Sequence, residues 1–194
     1  MNRAYSYYGK RIFDLILVSF VLVIFLWFIL LILFFYCVTV EFPVFFLQSR
    51  IGKNDIPFMM WKFRTLSSQE DKPLPERRFT LGDFLRLTNL DELPQLWNVL
   101  KGEMSLVGPR PLPVEYGSHF THDQKKRHTV RPGITGWAQV YGKNSLSWEQ
   151  KFNYDLQYID RISFWTDVTI LLKTITLVLS MKRDVSLTEE KFKG

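Results

Sequence analysis

A chain of 194 residues, of which 47% are hydrophobic and 23% charged, is long enough for one folded domain and an apolar segment but too short for two full-sized domains. Its formal net charge of +6 favours anionic partners such as phosphates or acidic lipid headgroups. Nucleic acid is excluded as the expected partner, because the sequence contains no zinc-finger spacing, basic-region heptad or aromatic RNA-binding signature. The single cysteine, Cys37, rules out an intramolecular disulfide and fits a reducing compartment.

The first element in chain order is an apolar segment. Residues 15 to 40 contain no charge, no proline and no glycine. As one continuous helix they would measure about 39 Å, against about 30 Å for the hydrocarbon core of a bilayer. We therefore predict a membrane-inserted helical anchor over residues 1 to 41 and a separate domain over residues 42 to 194.

The basic residues around this segment bear on its topology. Lys10 and Arg11 precede it, and Arg50 and Lys53 follow it. Since basic flanks tend to stay in the cytoplasm, this pattern favours a re-entrant hairpin with both ends on the cytoplasmic side. A hairpin needs a break near Leu26-Trp27, where no helix breaker is present, so a simple span stays open as the alternative.

The remainder of the chain predicts a mainly helical α+β domain. Two short apolar runs, residues 44 to 47 and 58 to 61, flank a turn at residues 52 to 55 and indicate a β-hairpin. Residues 66 to 78 are polar, contain two prolines and indicate a surface loop. Helices are predicted over residues 91 to 100, 148 to 159 and 164 to 181, the last of them either interfacial or packed in the core.

The helix over residues 91 to 100 begins with two carboxylates. Its apolar positions recur at helical spacing, Gly102 supplies a stop, and Pro94 is tolerated only in the first turn. The helix should therefore begin close to Asp91, with Asp91 and Glu92 at its N-terminus. An Asp-Glu pair there caps a helix more often than it catalyses a reaction.

Two later segments argue for a phosphate-binding site near these carboxylates. Residues 108 to 111, Gly-Pro-Arg-Pro, mount Arg110 between two prolines, and the planar guanidinium matches a phosphate. Residues 131 to 140 combine Arg131, glycines that permit close approach to a ligand, Trp137 and Gln139. The second segment is neither a P-loop nor a dinucleotide-binding fingerprint. For residues 108 to 111, a structural turn is the alternative interpretation.

Taken together, these segments resemble the bacterial sugar transferases, the monotopic phosphoglycosyl transferases. The matching segments occur in the family's order and extend over nearly the whole chain. They are residues 10 to 14, 62 to 65, 90 to 102, 107 to 111 and 131 to 140. The short length further resembles the members that transfer diacetylbacillosamine 1-phosphate. The chain departs from the family at Leu26-Trp27, where Ser-Pro is usual, and at Tyr141 and Lys143 in the family's Asn-Gly-Arg-Asn motif.

The resemblance implies a membrane enzyme of the bacterial inner membrane whose catalytic domain faces the cytoplasm. It implies transfer of a sugar 1-phosphate from a UDP-sugar to polyprenyl phosphate, with UMP as the other product, as the first membrane step of glycoconjugate assembly. Asp91 would be the nucleophile and, with Mg2+ as cofactor, a metal ligand, and Glu92 would assist it. Phosphate binding falls to Lys62, Arg64, Arg86 and Arg110, and nucleotide-sugar binding to Arg131, Gln139, Lys143, Asn144, Asp155 and Tyr158.

Two other classes of function fit parts of the sequence. A membrane-bound protein that binds nucleotide-sugar or anionic lipid without catalysis would use the same basic segments and need no nucleophile. A purely structural membrane scaffold accounts for the apolar segment but gives no reason for a Pro-Arg-Pro mount beside an Asp-Glu pair.

Overall fold

A computed structural model of the protein describes residues 5 to 39, 42 to 142, 145 to 180, and 192. It is mostly helical, with two small sheets, as the sequence predicts. The α-helices are α1 Lys10–Thr39, α2 Thr80–Thr88, α3 Gln95–Lys101, α4 His122–Lys125, α5 Trp137–Tyr141, α6 Trp148–Asp160 and α7 Phe164–Leu179. The strands are β1 Phe45–Ile51, β2 Pro57–Phe63, β3 Ser105–Val107 and β4 Gly133–Thr135.

The apolar segment forms one uninterrupted helix, α1. The helix break expected at Leu26-Trp27 is therefore absent, and the choice between a re-entrant hairpin and a span stays a prediction. The physical reason is local, because without proline or glycine every amide in this stretch can bond to the carbonyl four residues earlier. At 30 residues the helix is about 45 Å long.

Both ends of α1 are nevertheless attached to the same domain. Near its start, the Asp14 carboxylate accepts hydrogen bonds from Ser105 Oγ at 2.7 Å and from Leu106 N at 3.2 Å. Near its end, the Tyr36 hydroxyl donates to the backbone oxygen of Arg64. Both ends of the helix therefore contact the same domain, while no residue between positions 23 and 31 is buried. The predicted division at residue 41 stays a prediction.

The face of α1 that points away from Asp14 and Tyr36 is exposed and apolar. Among the described residues, α1 is the one helix long and apolar enough to cross a membrane, a judgement of length and composition only. Just 11% of its most apolar window is buried, unlike the core helix of a soluble protein. Large exposed side chains on this face include Ile16, Phe20, Val23, Trp27 and Leu31. A continuous apolar surface of this kind favours contact with lipid.

The predicted β-hairpin is confirmed. Strands β1 and β2 pair antiparallel, from Phe45 opposite Phe63 to Ile51 opposite Pro57. The connection turns through Asn54 and Asp55, both in the left-handed region. The edge of β1 continues onto the chain after residue 110, because Ile51 N donates to Leu112 O at 2.9 Å. The hairpin thus reaches the segment that carries the Pro-Arg-Pro motif.

The glycines of residues 131 to 140 permit close packing of two chain segments, which differs from the predicted approach to a ligand. Strands β3 and β4 pair in parallel. A Cβ on Gly133 would lie 2.1 Å from Gly108 N, and one on Gly136 would lie 2.2 Å from Gly108 O. Only glycine fits such an approach, which brings the two motif segments side by side.

Asn98, on α3, joins that helix to the hairpin. Its side chain is fully buried, accepts from Trp61 N at 3.1 Å and donates to Met59 O and to Glu103 Oε2, both at 2.7 Å. Replacement by leucine keeps the volume but removes the side-chain partners of two partly buried backbone groups of β2, Trp61 N and Met59 O. We expect Asn98→Leu to lower the free energy of unfolding by about 3 kcal/mol.

Thermal denaturation in detergent or nanodiscs measures this loss. The matched control is Lys126→Gln, which removes an exposed ion pair with Asp123 and should leave the melting temperature unchanged. Equal melting temperatures for Asn98→Leu and the control would contradict the assigned role of Asn98.

Candidate active site

A cavity of about 720 Å³ lies between the β-hairpin, the turn before α3, the segment after β3, and helices α5 to α7. Most of the predicted site residues line it. They are Lys62, Arg64, Arg86, Asp91, Glu92, Arg110, Gln139 and Asp155. Residues that lie up to 93 positions apart in the sequence therefore share one site, and it is of a size typical for small-ligand pockets.

Asp91 and Glu92 enter this cavity from a short 3-10 turn, Leu90–Glu92, and the α-helix begins later than predicted, at Gln95. The preceding residue, Asn89, has a left-handed conformation with φ 55° and turns the chain out of α2. Because Pro94 has no N–H to donate to Leu90 O, that oxygen instead accepts from Leu93 N at 3.1 Å. The two carboxylates are thus presented on a tight turn and not on the first turn of α3.

Two cations converge on Glu92. Lys62 Nζ lies 2.7 Å from Glu92 Oε1, and Arg110 Nη2 lies 3.6 Å from the same oxygen. Lysine and glutamate side chains are each 18% exposed, so solvent screens this pair less than a surface ion pair. Glu92 therefore holds a lysine from β2 and the arginine of the Pro-Arg-Pro motif beside its neighbour Asp91.

Two further arginines are oriented by protein acceptors. Arg86 Nε donates to Thr65 Oγ1 at 2.7 Å, and Arg64 Nε donates to Pro43 O at 2.7 Å. Each bond fixes the plane of a guanidinium that lines the cavity. Their phosphate-binding roles stay predictions, and their positions in the cavity that Asp91 and Glu92 also line are compatible with these roles.

Asp155, predicted to lie near the nucleotide-sugar, forms a buried ion pair with Arg127. Arg127 Nε and Nη2 donate to Asp155 Oδ2 at 3.0 and 2.7 Å, and both side chains are almost fully buried. Arg127 Nη2 also donates to Arg110 O at 2.7 Å. The pair therefore supports the backbone of the Pro-Arg-Pro motif, although both residues line the cavity.

Two predicted ligand-binding residues do not line the cavity. Tyr158 is 1% exposed, and its hydroxyl donates to Asp167 Oδ1 at 2.8 Å. Burial and the Asp167 charge raise the pKa of this phenol well above its usual value. Arg131 Nε donates to Gly102 O at 2.7 Å, at the end of α3. In these positions Tyr158 and Arg131 stabilise the domain through their hydrogen bonds to Asp167 and Gly102. Lys143 and Asn144 lie outside the described residues.

Gln139, unlike Tyr158 and Arg131, lines the cavity and lacks protein hydrogen-bond partners for its side chain among the described residues. It lines the cavity and is 7% exposed, yet neither its amide nitrogen nor its amide oxygen has a hydrogen-bond partner in the described part of the chain. A buried amide without partners is costly unless a ligand or water satisfies it. This arrangement supports the predicted role of Gln139 in nucleotide-sugar binding, which stays a prediction.

The residues present fit a magnesium ion that is held partly by substrate. No group of three or more His, Cys, Asp or Glu side chains that could hold a metal occurs within the described ranges. Mg2+ commonly binds through one or two carboxylates together with substrate phosphates. Asp91 supplies one such carboxylate beside the cations that would bind the phosphates. The predicted Mg2+ cofactor is compatible with this arrangement.

Arg50 and Arg127 are among the cavity residues that the sequence analysis missed. Arg50 was noted only as a basic flank of the apolar segment, yet it lines the cavity from β1. Arg127 stands in a run of basic residues that is typical of a solvated surface, yet it is 3% exposed. No local sequence signal separates a buried arginine from an exposed one, because burial depends on what packs against it.

Comparison with known proteins shows which family the chain resembles. The model of the family described as bacterial sugar transferase matches residues 5 to 181. The sugar transferase EpsL of Bacillus subtilis is 46% identical over 160 residues, which cover 78% of this chain and 79% of EpsL.

Two further relatives carry names that state a reaction. The UDP-glucose:undecaprenyl-phosphate glucose-1-phosphate transferase of Xanthomonas campestris is 41% identical over 72% of this chain and 32% of its own length. The UDP-N-acetylgalactosamine-undecaprenyl-phosphate N-acetylgalactosaminephosphotransferase of Aeromonas hydrophila is 39% identical over 71% of this chain and 36% of its own. The chain thus spans about a third of the length of these two proteins. On the family match over most of its length, the chain belongs to the bacterial sugar transferases.

Proposed function

We propose that this protein transfers a sugar 1-phosphate from a UDP-sugar to polyprenyl phosphate through a covalent intermediate on Asp91. The observation that carries the proposal is the placement of adjacent carboxylates among several cations in one cavity. Relatives named for the same type of reaction support it. Since their names state different sugars, the sugar is left to experiment, with diacetylbacillosamine as one member of the panel.

In the first step a carboxylate oxygen of Asp91 attacks the β-phosphorus of the donor. The bond between that phosphorus and the bridging oxygen breaks, and UMP leaves with the bond electrons. In the second step a phosphate oxygen of polyprenyl phosphate attacks the same phosphorus, restores the carboxylate and forms polyprenyl-diphosphosugar. Phosphoryl transfer of this kind depends on positioned cations that neutralise the phosphate charge.

The contacts of Glu92 suit it to holding cations beside the proposed nucleophile, Asp91. The Glu92 carboxylate is engaged by Lys62 at 2.7 Å, and Arg110 lies nearby, which lowers its nucleophilicity and suits it to holding these cations in place. Mg2+, when bound by Asp91 and phosphate oxygens, would add further charge neutralisation. Asp91 also occupies the family's nucleophile position.

The cavity has an apolar side that suits a lipid acceptor. Val21 of α1 and Leu177 and Val178 of α7 line it together with the charged residues. Both helices carry exposed apolar side chains, such as Trp27 on α1 and Trp165 on α7. We propose that these faces lie in the cytoplasmic leaflet of the inner membrane, so that the polyprenyl chain stays in lipid while its phosphate reaches Asp91.

The test is incubation of nanodisc-held protein with Mg2+ and a panel of UDP-sugars, followed by intact mass spectrometry. A mass increase of one phosphosugar that maps to Asp91, with release of UMP, is the expected result. EDTA should prevent both. Donor binding without any adduct or UMP release across the panel would favour the non-catalytic binding protein instead.

A further inference from the structure

Arg50 lies beside the Pro-Arg-Pro motif because the edge of β1 pairs with that segment. An isolated antiparallel bridge joins Arg50 to Pro113. The guanidinium is held at two of its nitrogens, since Nη1 donates to Pro111 O at 3.1 Å and Nη2 donates to Gln48 Oε1 at 2.6 Å. Its Nε is buried and has no hydrogen-bond partner among the described residues. Backbone pairing and side-chain bonds thus orient this arginine in the cavity wall.

The charge of Arg50 is not neutralised by direct contact with a carboxylate in the described part of the chain. Its two bonded acceptors are a backbone carbonyl and an amide oxygen, which carry no net charge. Burial and the adjacent positive charge of Arg110 lower the pKa of Arg50 to about 10, while Glu115 and Glu92 oppose this at longer range. Two arginines held close together in a cavity wall form a site that an anion would stabilise.

The surroundings of Arg50 indicate which anion. Glu92, next to Asp91 where the transferred phosphate would react, and Tyr116 both interact electrostatically with Arg50. Arg50 therefore shares one cavity with the proposed reacting carboxylate and with the aromatic side chains of Tyr116 and Trp148. In a nucleoside diphosphate the second phosphate lies between the transferred phosphate and the nucleoside, so a cation that shares a cavity with a reacting carboxylate and with aromatic side chains suits it.

We infer that Arg50, together with Arg110, binds the phosphate that stays with the nucleoside and leaves as UMP. The inference rests on the proposed function and adds a residue to its binding machinery. Arginine suits this role because its planar guanidinium presents several donors to phosphate oxygens. Neutralising the leaving phosphate would also stabilise the developing charge when the bridging bond breaks.

The test compares the affinities of UMP and uridine, the first by titration calorimetry and the second by ligand-observed NMR, in nanodisc-held protein. Arg50→Gln should weaken UMP binding about tenfold or more, the loss expected for a charge-assisted hydrogen bond, and leave uridine binding unchanged. Arg50→Lys keeps the charge and should lose less. The control Arg78→Gln removes an exposed arginine paired with Asp83 and should change neither affinity.

Several outcomes would overturn the inference. Equal losses of UMP and uridine affinity in Arg50→Gln would show that Arg50 only supports the chain around Pro111. Unchanged UMP affinity would show that it does not contact phosphate. Should Arg50→Gln fail to fold, Arg50→Lys decides the question: a loss of UMP affinity relative to the Arg78→Gln control, with uridine affinity unchanged, is expected, and equal losses for UMP and uridine would overturn the inference.

These outcomes are distinct from failure of the proposed function. Binding of UMP that depends on Arg50, without UMP release from any UDP-sugar, would remove the catalytic proposal and leave the phosphate site in place. Turnover with UMP binding that is indifferent to Arg50 would remove only the phosphate site.

Discussion

Asp91→Asn is expected to reduce UMP release from the preferred UDP-sugar by about 10⁴-fold or more, because an amide oxygen cannot form the acyl phosphate. The substitution keeps the shape of the side chain on its turn, so the fold should persist. Mass spectrometry should detect no phosphosugar adduct in this variant. Its melting temperature and its affinity for UMP should stay close to those of the wild type.

The neighbouring carboxylate provides the matched control. Glu92→Gln loses the ion pair with Lys62 and the nearby charge for Arg110, and should slow UMP release by about ten- to a hundredfold through misplaced cations. The adduct should still form, on Asp91, at a lower rate. Full loss of the adduct in Glu92→Gln together with its retention in Asp91→Asn would assign the nucleophile to Glu92 instead.

Asp155→Asn is expected to lower the free energy of unfolding by about 3 to 5 kcal/mol. The substitution leaves the Arg127 guanidinium, which is 3% exposed, buried without its counter-ion. Thermal or chemical denaturation measures the loss. Arg110 should also be displaced, since its backbone oxygen accepts from Arg127, and UMP affinity should fall with it.

A double variant separates the buried ion pair from a direct role in donor binding. Arg127→Met combined with Asp155→Leu replaces both charges by apolar side chains and should recover most of the lost stability. Asp155→Asn with an unchanged melting temperature but weaker donor binding would restore the sequence-based prediction that Asp155 contacts the nucleotide-sugar.

Much of the local structure could be predicted because it depends on neighbouring residues. The hairpin followed from two apolar runs around a turn-forming segment, and α6 and α7 followed from apolar periodicity. The start of α3 was wrong by about four residues. Pro94 was correctly assigned to the start of a helix. The residues before it form a 3-10 turn, in which each N–H donates to the carbonyl three residues earlier. This turn satisfies their backbone hydrogen-bonding groups as well as an α-helix would.

The candidate site also divides into residues that the sequence motifs placed correctly and residues whose contacts only the structure showed. Sequence motifs named Asp91, Glu92, Lys62 and Arg110, which the fold brings to one cavity. Motif membership also named Tyr158 and Arg131, whose side chains instead bond to Asp167 and to the end of α3. A motif marks residues that a fold depends on as well as residues that touch a ligand, and one sequence does not separate these two uses.

The sequence by itself determined the apolar helix, the β-hairpin, α6 and α7, the family and the carboxylate pair, because each of these lies in contiguous residues. Only the tertiary structure decided that α1 is continuous yet attached at both ends, and that Gly108 packs against Gly133. It also decided that Arg50 and Arg127 enter the cavity wall. These features arise from contacts between residues far apart in the chain, where burial and charge pairing depend on the packed partner and not on the neighbouring sequence.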